Sequence, residues 1–98
     1  MTNELINKIL GLATNDYQQT CDAYTISNIP VSIDTTLHND TILIDCVFKH
    51  TTENSAKQWL YNKLKDIGVD VDSIIIETCQ EGTYNDEIVC AYSNIDFI

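Results

Sequence analysis

Between Thr41 and Lys49 every even position is apolar: Ile42, Ile44, Cys46 and Phe48. That period of two belongs to a strand with one face on a core, whereas a helix would scatter the same four side chains around its axis. A strand of this kind needs neighbours in a sheet and an apolar layer over one side. The preceding segment supplies a neighbour. Ile29 to Leu37 alternates, with Ile29, Val31, Ile33 and Leu37 on one face and Ser32 and Asp34 on the other. Between the two strands, His38-Asn39-Asp40 reads as a turn, so they form a hairpin. Pro30 places the first of them at a sheet edge, because proline cannot donate to a ladder.

Two segments change to helical spacing. From about Asn3 to Asn15, the residues Leu5, Ile6, Ile9, Leu10, Leu12 and Ala13 share a broad face, with Thr2 or Asn3 as cap. Gly11 lies on the opposite face and weakens this helix. From Thr51 or Thr52 to about Ile67, the stripe is Ala56, Leu60, Leu64 and Ile67, with Trp59 at its edge and Gly68 placed to stop it. Lys63 falls inside the stripe, where its stem packs and its ammonium reaches water. A third strand is expected from Asp72 to Cys79. Its Ile74-Ile75-Ile76 run suggests a central strand covered on both faces. After a loop from Gln80 to Asp86, a fourth strand runs from about Glu87 to Ser93, and the end of the chain is apolar at Ile95, Phe97 and Ile98. The order is α-β-β-α-β-β. It implies an α+β fold with a mainly antiparallel four-stranded sheet and two helices on one face. A right-handed parallel crossover through the second helix is the alternative. Residues 1–98 read as a single domain, since no linker or repeat divides them.

The cysteines are Cys21, Cys46, Cys79 and Cys90, with no C-x-x-C pair. Zinc sites usually show at least one tight pair, so no metal is expected, and His38 and His50 would join a site only by tertiary coincidence. Met1 to Leu12 lacks a basic segment and a long apolar segment, so a signal peptide is not expected. No run approaches the roughly 20 apolar residues that span a bilayer. The expectation is a cytoplasmic protein with reduced thiols and no membrane contact.

Nothing in the chain carries a catalytic or cofactor signature. Cys46 and His50 would lie about 13 Å apart on an extended strand, too far for a nucleophile and its base. Asp70-Val71-Asp72 opens like a calcium loop, but Ile75 stands where that loop needs glycine. Gly11, Gly68 and Gly82 cannot build a phosphate cradle between them. We therefore expect no enzyme, no catalytic residue and no cofactor, and keep a small Cys/His enzyme or metal protein as the weakest alternative.

Charge is more informative. The net charge is -10, with 15 Asp plus Glu, and all 5 basic residues are lysine. Direct nucleic-acid binding is disfavoured, because phosphate neutralisation needs clustered cations. Spread evenly over the roughly 5,700 Å² surface of such a chain, ten charges would put only about 1.4 in a standard 800 Å² interface patch. They are not spread evenly. Beyond Lys65 stand Asp66, Asp70, Asp72, Glu77, Glu81, Asp86, Glu87 and Asp96, with no lysine among them. Lys49, Lys57, Lys63 and Lys65 precede them against Glu53 alone.

The sequence thus suggests two acid clusters. Asp66, Asp70 and Asp72 stand at the start of the third strand, and Glu81, Asp86 and Glu87 at its far end, about 23 Å away over seven strand residues. Tyr84 sits in the loop between the second set as a binding anchor. The expected function is a small acidic protein-binding module. It would be an inhibitor that occupies the basic nucleic-acid site of a partner such as a nuclease or CRISPR effector. In size and charge alone this matches phage anti-defence and toxin-immunity proteins. The alternative is a structural or regulatory homo-oligomer, a homodimer included, in which the Lys-bearing helix of one copy meets the acids of another.

Overall fold

The computed structural model describes residues 2–14, 30–49, 51–82 and 88–96. Helix α1 spans Asn3–Gly11 and passes into a single 3-10 turn, Leu12–Thr14. The Thr2 side chain caps it by accepting from the Leu5 N–H at 3.2 Å. Strands β1 (Ser32–His38) and β2 (Thr41–Lys49) form a hairpin. Its two-residue connection holds Asn39 at φ 53°, a region asparagine tolerates better than most residues. Helix α2 covers Glu53–Asp66, capped by Thr52, which accepts from the Ser55 N–H at 3.1 Å. It ends where Gly68 takes φ 103° and Val69 donates back to the Leu64 carbonyl at 2.9 Å, a left-handed stop that suits glycine. Strands β3 (Ile76–Glu81) and β4 (Ile88–Asp96) complete the sheet.

The strand order is β1-β2-β4-β3, and every neighbouring pair is antiparallel. Strand β4 lies between β2 and β3, so α2 connects two strands that run the same way without touching. The α+β architecture, the element order and the antiparallel sheet follow the sequence expectation.

One face of the sheet is buried. It carries Ile33 from β1, Ile42, Ile44, Cys46 and Phe48 from β2, Val89, Ala91 and Ile95 from β4, and Ile76 from β3. Ile9 and Leu12 cover it near β1, and Ala56, Leu60 and Leu64 cover it near β3 and β4. Phe48 meets Trp59 edge to face, with ring centroids 5.7 Å apart. Lys63 keeps its ammonium 5.5 Å from the centre of the Trp59 ring, so its stem packs as the helical wheel implied.

Several expectations need correction. Strand β3 starts at Ile76, not Asp72, and it lies at the edge of the sheet. The Asp70 carboxylate accepts the Asp72 N–H at 3.2 Å, and the Ser73 N–H and hydroxyl reach the Asp70 carbonyl at 3.1 and 2.7 Å. These local bonds wind Val71–Ser73 into a 3-10 turn and delay the strand. The isoleucine run then divides: Ile74 is half-buried, Ile75 is 75% exposed and Ile76 is 6% exposed. On β1 only Ile33 is sealed from water. Leu37 is 52% exposed and Val31, just before the strand, 37%. Proline's indication of an edge strand holds, since β1 is outermost. Strand β4 continues to Asp96, beyond the expected stop at Ser93, because β2 pairs with it along its whole length. Asn15, Cys21, Ile29, His50, Phe97 and Ile98, and residues 83–87 with Tyr84, Asp86 and Glu87, lie outside the described residues.

Candidate functional site

Burying one face of β1, β2, β4 and β3 fixes what stands on the other. Reading the register across the sheet, Asp34 on β1 faces Asp45 on β2, Asp45 faces Tyr92 on β4, and Tyr92 faces Glu77 on β3. With strands about 4.8 Å apart, this row runs roughly 14 Å from Asp34 to Glu77. The next row toward the β3–β4 connection is Ser32, Val47, Cys90 and Cys79, and beyond it lie Lys49, Ile88 and Glu81. At the opposite end stand His38, Thr41 and Asp96, where the Thr41 hydroxyl donates to the Asp96 carboxylate at 2.6 Å. The face thus presents Asp34, Asp45, Glu77, Glu81 and Asp96 against Lys49 alone, and each of these six side chains is exposed.

Two members of this row, Asp45 and Tyr92, hold their protons more tightly than they would alone. Partial burial, and then the charge of Asp34, push the Asp45 carboxyl above its ordinary value. Glu77 pushes the Tyr92 phenol up, first by its charge; slight burial and a hydrogen bond with Glu77 add to this. The tyrosine is therefore a neutral donor at physiological pH, held between carboxylates.

The row opens into a cleft. Because β3 starts opposite Ser93, the last residues of β4 run on past it. A cavity of about 330 Å³ lies there, lined by Ser73, Ile75, Glu77, Tyr92, Asn94 and Asp96 among others. The buried Ser93 hydroxyl donates to the Ile75 carbonyl at 2.7 Å and so fixes the cleft wall. The cleft combines two carboxylates, a phenol and an exposed isoleucine, a mixture suited to a cationic side chain with an apolar stem.

Of the residues named from sequence, Glu81 stands on this open face. Asp66 is the last residue of α2, Asp70 caps the 3-10 turn and Asp72 lies within it; all three are exposed and none is part of the row. Five residue steps of β3, about 17 Å, separate Ile76 from Glu81, less than the 23 Å expected. Tyr84, Asp86 and Glu87 lie outside the described residues. Sequence reasoning missed Asp34, Asp45, Tyr92 and the grouping of Glu77 with them. Parity was the available signal, because each lies on the strand face opposite the core positions.

Cys46 is fully buried, and burial, then Asp45 and Cys90, push its thiol up to about 12, so it has little nucleophilic character. No three His, Cys, Asp or Glu side chains converge to hold a metal ion among the described residues. No helix among them is long and apolar enough to cross a membrane. Among the described residues, the fold is a two-layer α+β arrangement with its helices on one side of the sheet and an acidic, uncovered face on the other. Comparison with protein-family models, with curated proteins and with solved structures found no match.

Proposed function

We propose that this chain is a non-catalytic protein-binding module whose uncovered sheet face occupies the basic site of a partner. The partner is a nucleic-acid-binding protein or nuclease, a CRISPR effector included, and the role is that of an inhibitor of the anti-defence or toxin-immunity kind. The observation that carries the reading is the row Asp34–Asp45–Tyr92–Glu77 across all four strands. Three carboxylates over four strands about 4.8 Å apart are sparser than a duplex strand, with its phosphate every 3.4 Å, but the charges are held on a rigid sheet. Rigid like charges steer a cationic surface and select against acidic ones. Tyr92 and the neighbouring Ile75 supply the contact area that charge alone lacks. Glu81 extends the face at one end. Asp66, Asp70 and Asp72 lie beyond the row and add longer-range attraction, screened beyond about 8 Å at physiological salt.

The test is retention of host proteins by the wild-type chain and by D34N/D45N/E77Q at low and high salt. Each retained protein is then purified and its binding to a labelled oligonucleotide measured. A basic protein held at low salt, lost at high salt, lost by the triple variant and blocked from the oligonucleotide is the expected result. Partners retained equally by the triple variant, or oligonucleotide binding left untouched, would remove the reading.

One further observation favours a second reading. Lys57, Lys63 and Lys65 belong to α2, on the side of the sheet away from the acid row. A head-to-tail contact between the two sides of successive copies would build a ring or filament. Sedimentation as a salt-independent monomer excludes it.

A further inference from the structure

Cys79 on β3 and Cys90 on β4 are direct partners in the antiparallel register. Directly opposed residues in such a ladder have Cα atoms about 4.5 or 5.5 Å apart, depending on the hydrogen-bonding position, and both values fall inside the 4.4–6.8 Å window of a disulfide. Both side chains are half-buried on the open face, and both thiols are reduced. Each thiol therefore faces the other across the ladder, at the same level of the sheet. Their row continues through Val47 to Ser32.

We propose that Cys79 and Cys90 form a reversible cross-strand disulfide on the folded protein, made by exchange with a neutral small-molecule disulfide. The Cys79 thiolate attacks one sulfur of the reagent, forms a mixed disulfide and expels a thiolate, which takes up a proton. Cys90 then attacks the Cys79 sulfur and expels the second reagent thiolate, which takes the Cys90 proton. Two protein thiols are oxidised to one disulfide, and one reagent disulfide is reduced to two thiols. Burial and Cys79, then Asp45 and Glu81, push the Cys90 thiol up to about 11, which leaves Cys90 little thiolate for the first attack. The same carboxylates, with Glu77 nearby, repel an anionic oxidant, which is why a neutral one is named. A part-exposed cross-strand disulfide belongs to the class that is easily reduced again.

The experiment incubates the full chain with hydroxyethyl disulfide under native conditions and in denaturant. It then alkylates free thiols and cleaves after glutamate. Glu81 and Glu87 lie between the two cysteines, so cleavage separates them unless they are linked. The expected native product has lost two hydrogen masses, joins the Cys79 and Cys90 peptides, and reverts with dithiothreitol. In C90S the reagent adduct stays trapped on the remaining cysteine of the pair. In denaturant, links scramble to include Cys21 and Cys46. Native protein in which both cysteines remain open to alkylation, or in which Cys21 takes part in the main link, would overturn the proposal. So would a pairing pattern unchanged by denaturant.

Discussion

Asp34 and Asp45 face each other directly across β1 and β2 on the side of the sheet opposite the helices. Like charges in that position destabilise a strand pair. A shift of one residue would separate them, but it would also turn either Ile33 on β1 or Ile42, Ile44, Cys46 and Phe48 on β2 out of the core. The apolar face thus fixes the register, and the register forces the carboxylates together. Their cost is small against the burial that imposes it, since each large side chain in the core contributes about 1.5–3 kcal/mol.

Replacing Asp45 by asparagine therefore raises stability at neutral pH by a few tenths of a kcal/mol to about 1. The fold raises the affinity of Asp45 for its proton. A raised carboxyl favours the folded state when protonated, below its unfolded value, and loses that contribution as pH rises through its folded value. At pH 7 the ionised wild type bears the full penalty and D45N does not. Denaturant titrations across the acid range should show the advantage of D45N shrinking as the wild-type carboxyl is protonated. An advantage that grows on acidification would contradict this arrangement. The same variant weakens partner binding on the proposed function, a trade of stability against activity common at binding sites.

Ser93 is the buried polar residue of the described core, 3% exposed, and its hydroxyl holds the Ile75 carbonyl. S93A leaves that carbonyl without its donor and costs about 0.5–1.5 kcal/mol. The effect should be local as well as global. Amide exchange around Ser73 to Ile76 accelerates more than exchange in β2, because the bond ties the entry of β3 to β4. Uniform acceleration would show that Ser93 acts only through packing.

How legible each part was depends on how local its causes are. Strand β2 is read to the residue, because Ile42 to Phe48 leave it one way to face a core. Helix α2 is bounded by its own cap at Thr52 and its own stop at Gly68. The start of β3 misled because the Asp70 carboxylate offers the backbone a turn that an isoleucine run does not reveal. The place of β3 at the edge depends on β4, which pairs with β2 from Thr41↔Asp96 to Lys49↔Ile88, a relation between distant parts of the chain. The acid row was hidden for the same reason. Reading charge along the chain groups Asp66, Asp70 and Asp72, whereas the sheet takes one residue from each strand to align Asp34, Asp45, Tyr92 and Glu77. Glu81 lies on that face as the last residue of β3, whereas Asp86 and Glu87, grouped with it along the sequence, lie outside the described residues.

The two helix-associated glycines should respond in opposite directions. Gly11 closes α1 with no neighbouring atom within 4 Å of an added Cβ, so G11A stabilises by about 0.5–1 kcal/mol. At Gly68 the space is also adequate, with Leu5 Cδ1 at 3.9 Å, but φ is 103°. The backbone and not the contact decides there, and G68A destabilises by about 1 kcal/mol or more. Paired thermal melts check the sign of each.

The phenol of Tyr92 reports on the row itself. Glu77 is the chief reason it holds its proton more tightly than a free tyrosine, through charge and through a hydrogen bond with the neutral phenol. E77Q removes the charge and keeps a polar side chain of similar size, so the Tyr92 phenol should titrate at lower pH than in the wild type. D34N, at the far end of the row, should move it much less, because its charge acts across two strands and is screened by water. Tyrosine-labelled NMR in the alkaline range distinguishes Tyr92 from the other tyrosines. If E77Q and D34N shift Tyr92 equally, the phenol senses net charge alone and the Glu77–Tyr92 pairing across β3 and β4 is not maintained in solution. If only E77Q shifts it, the two side chains are held side by side, as a face that presents carboxylates and one aromatic in fixed order to a cationic partner requires.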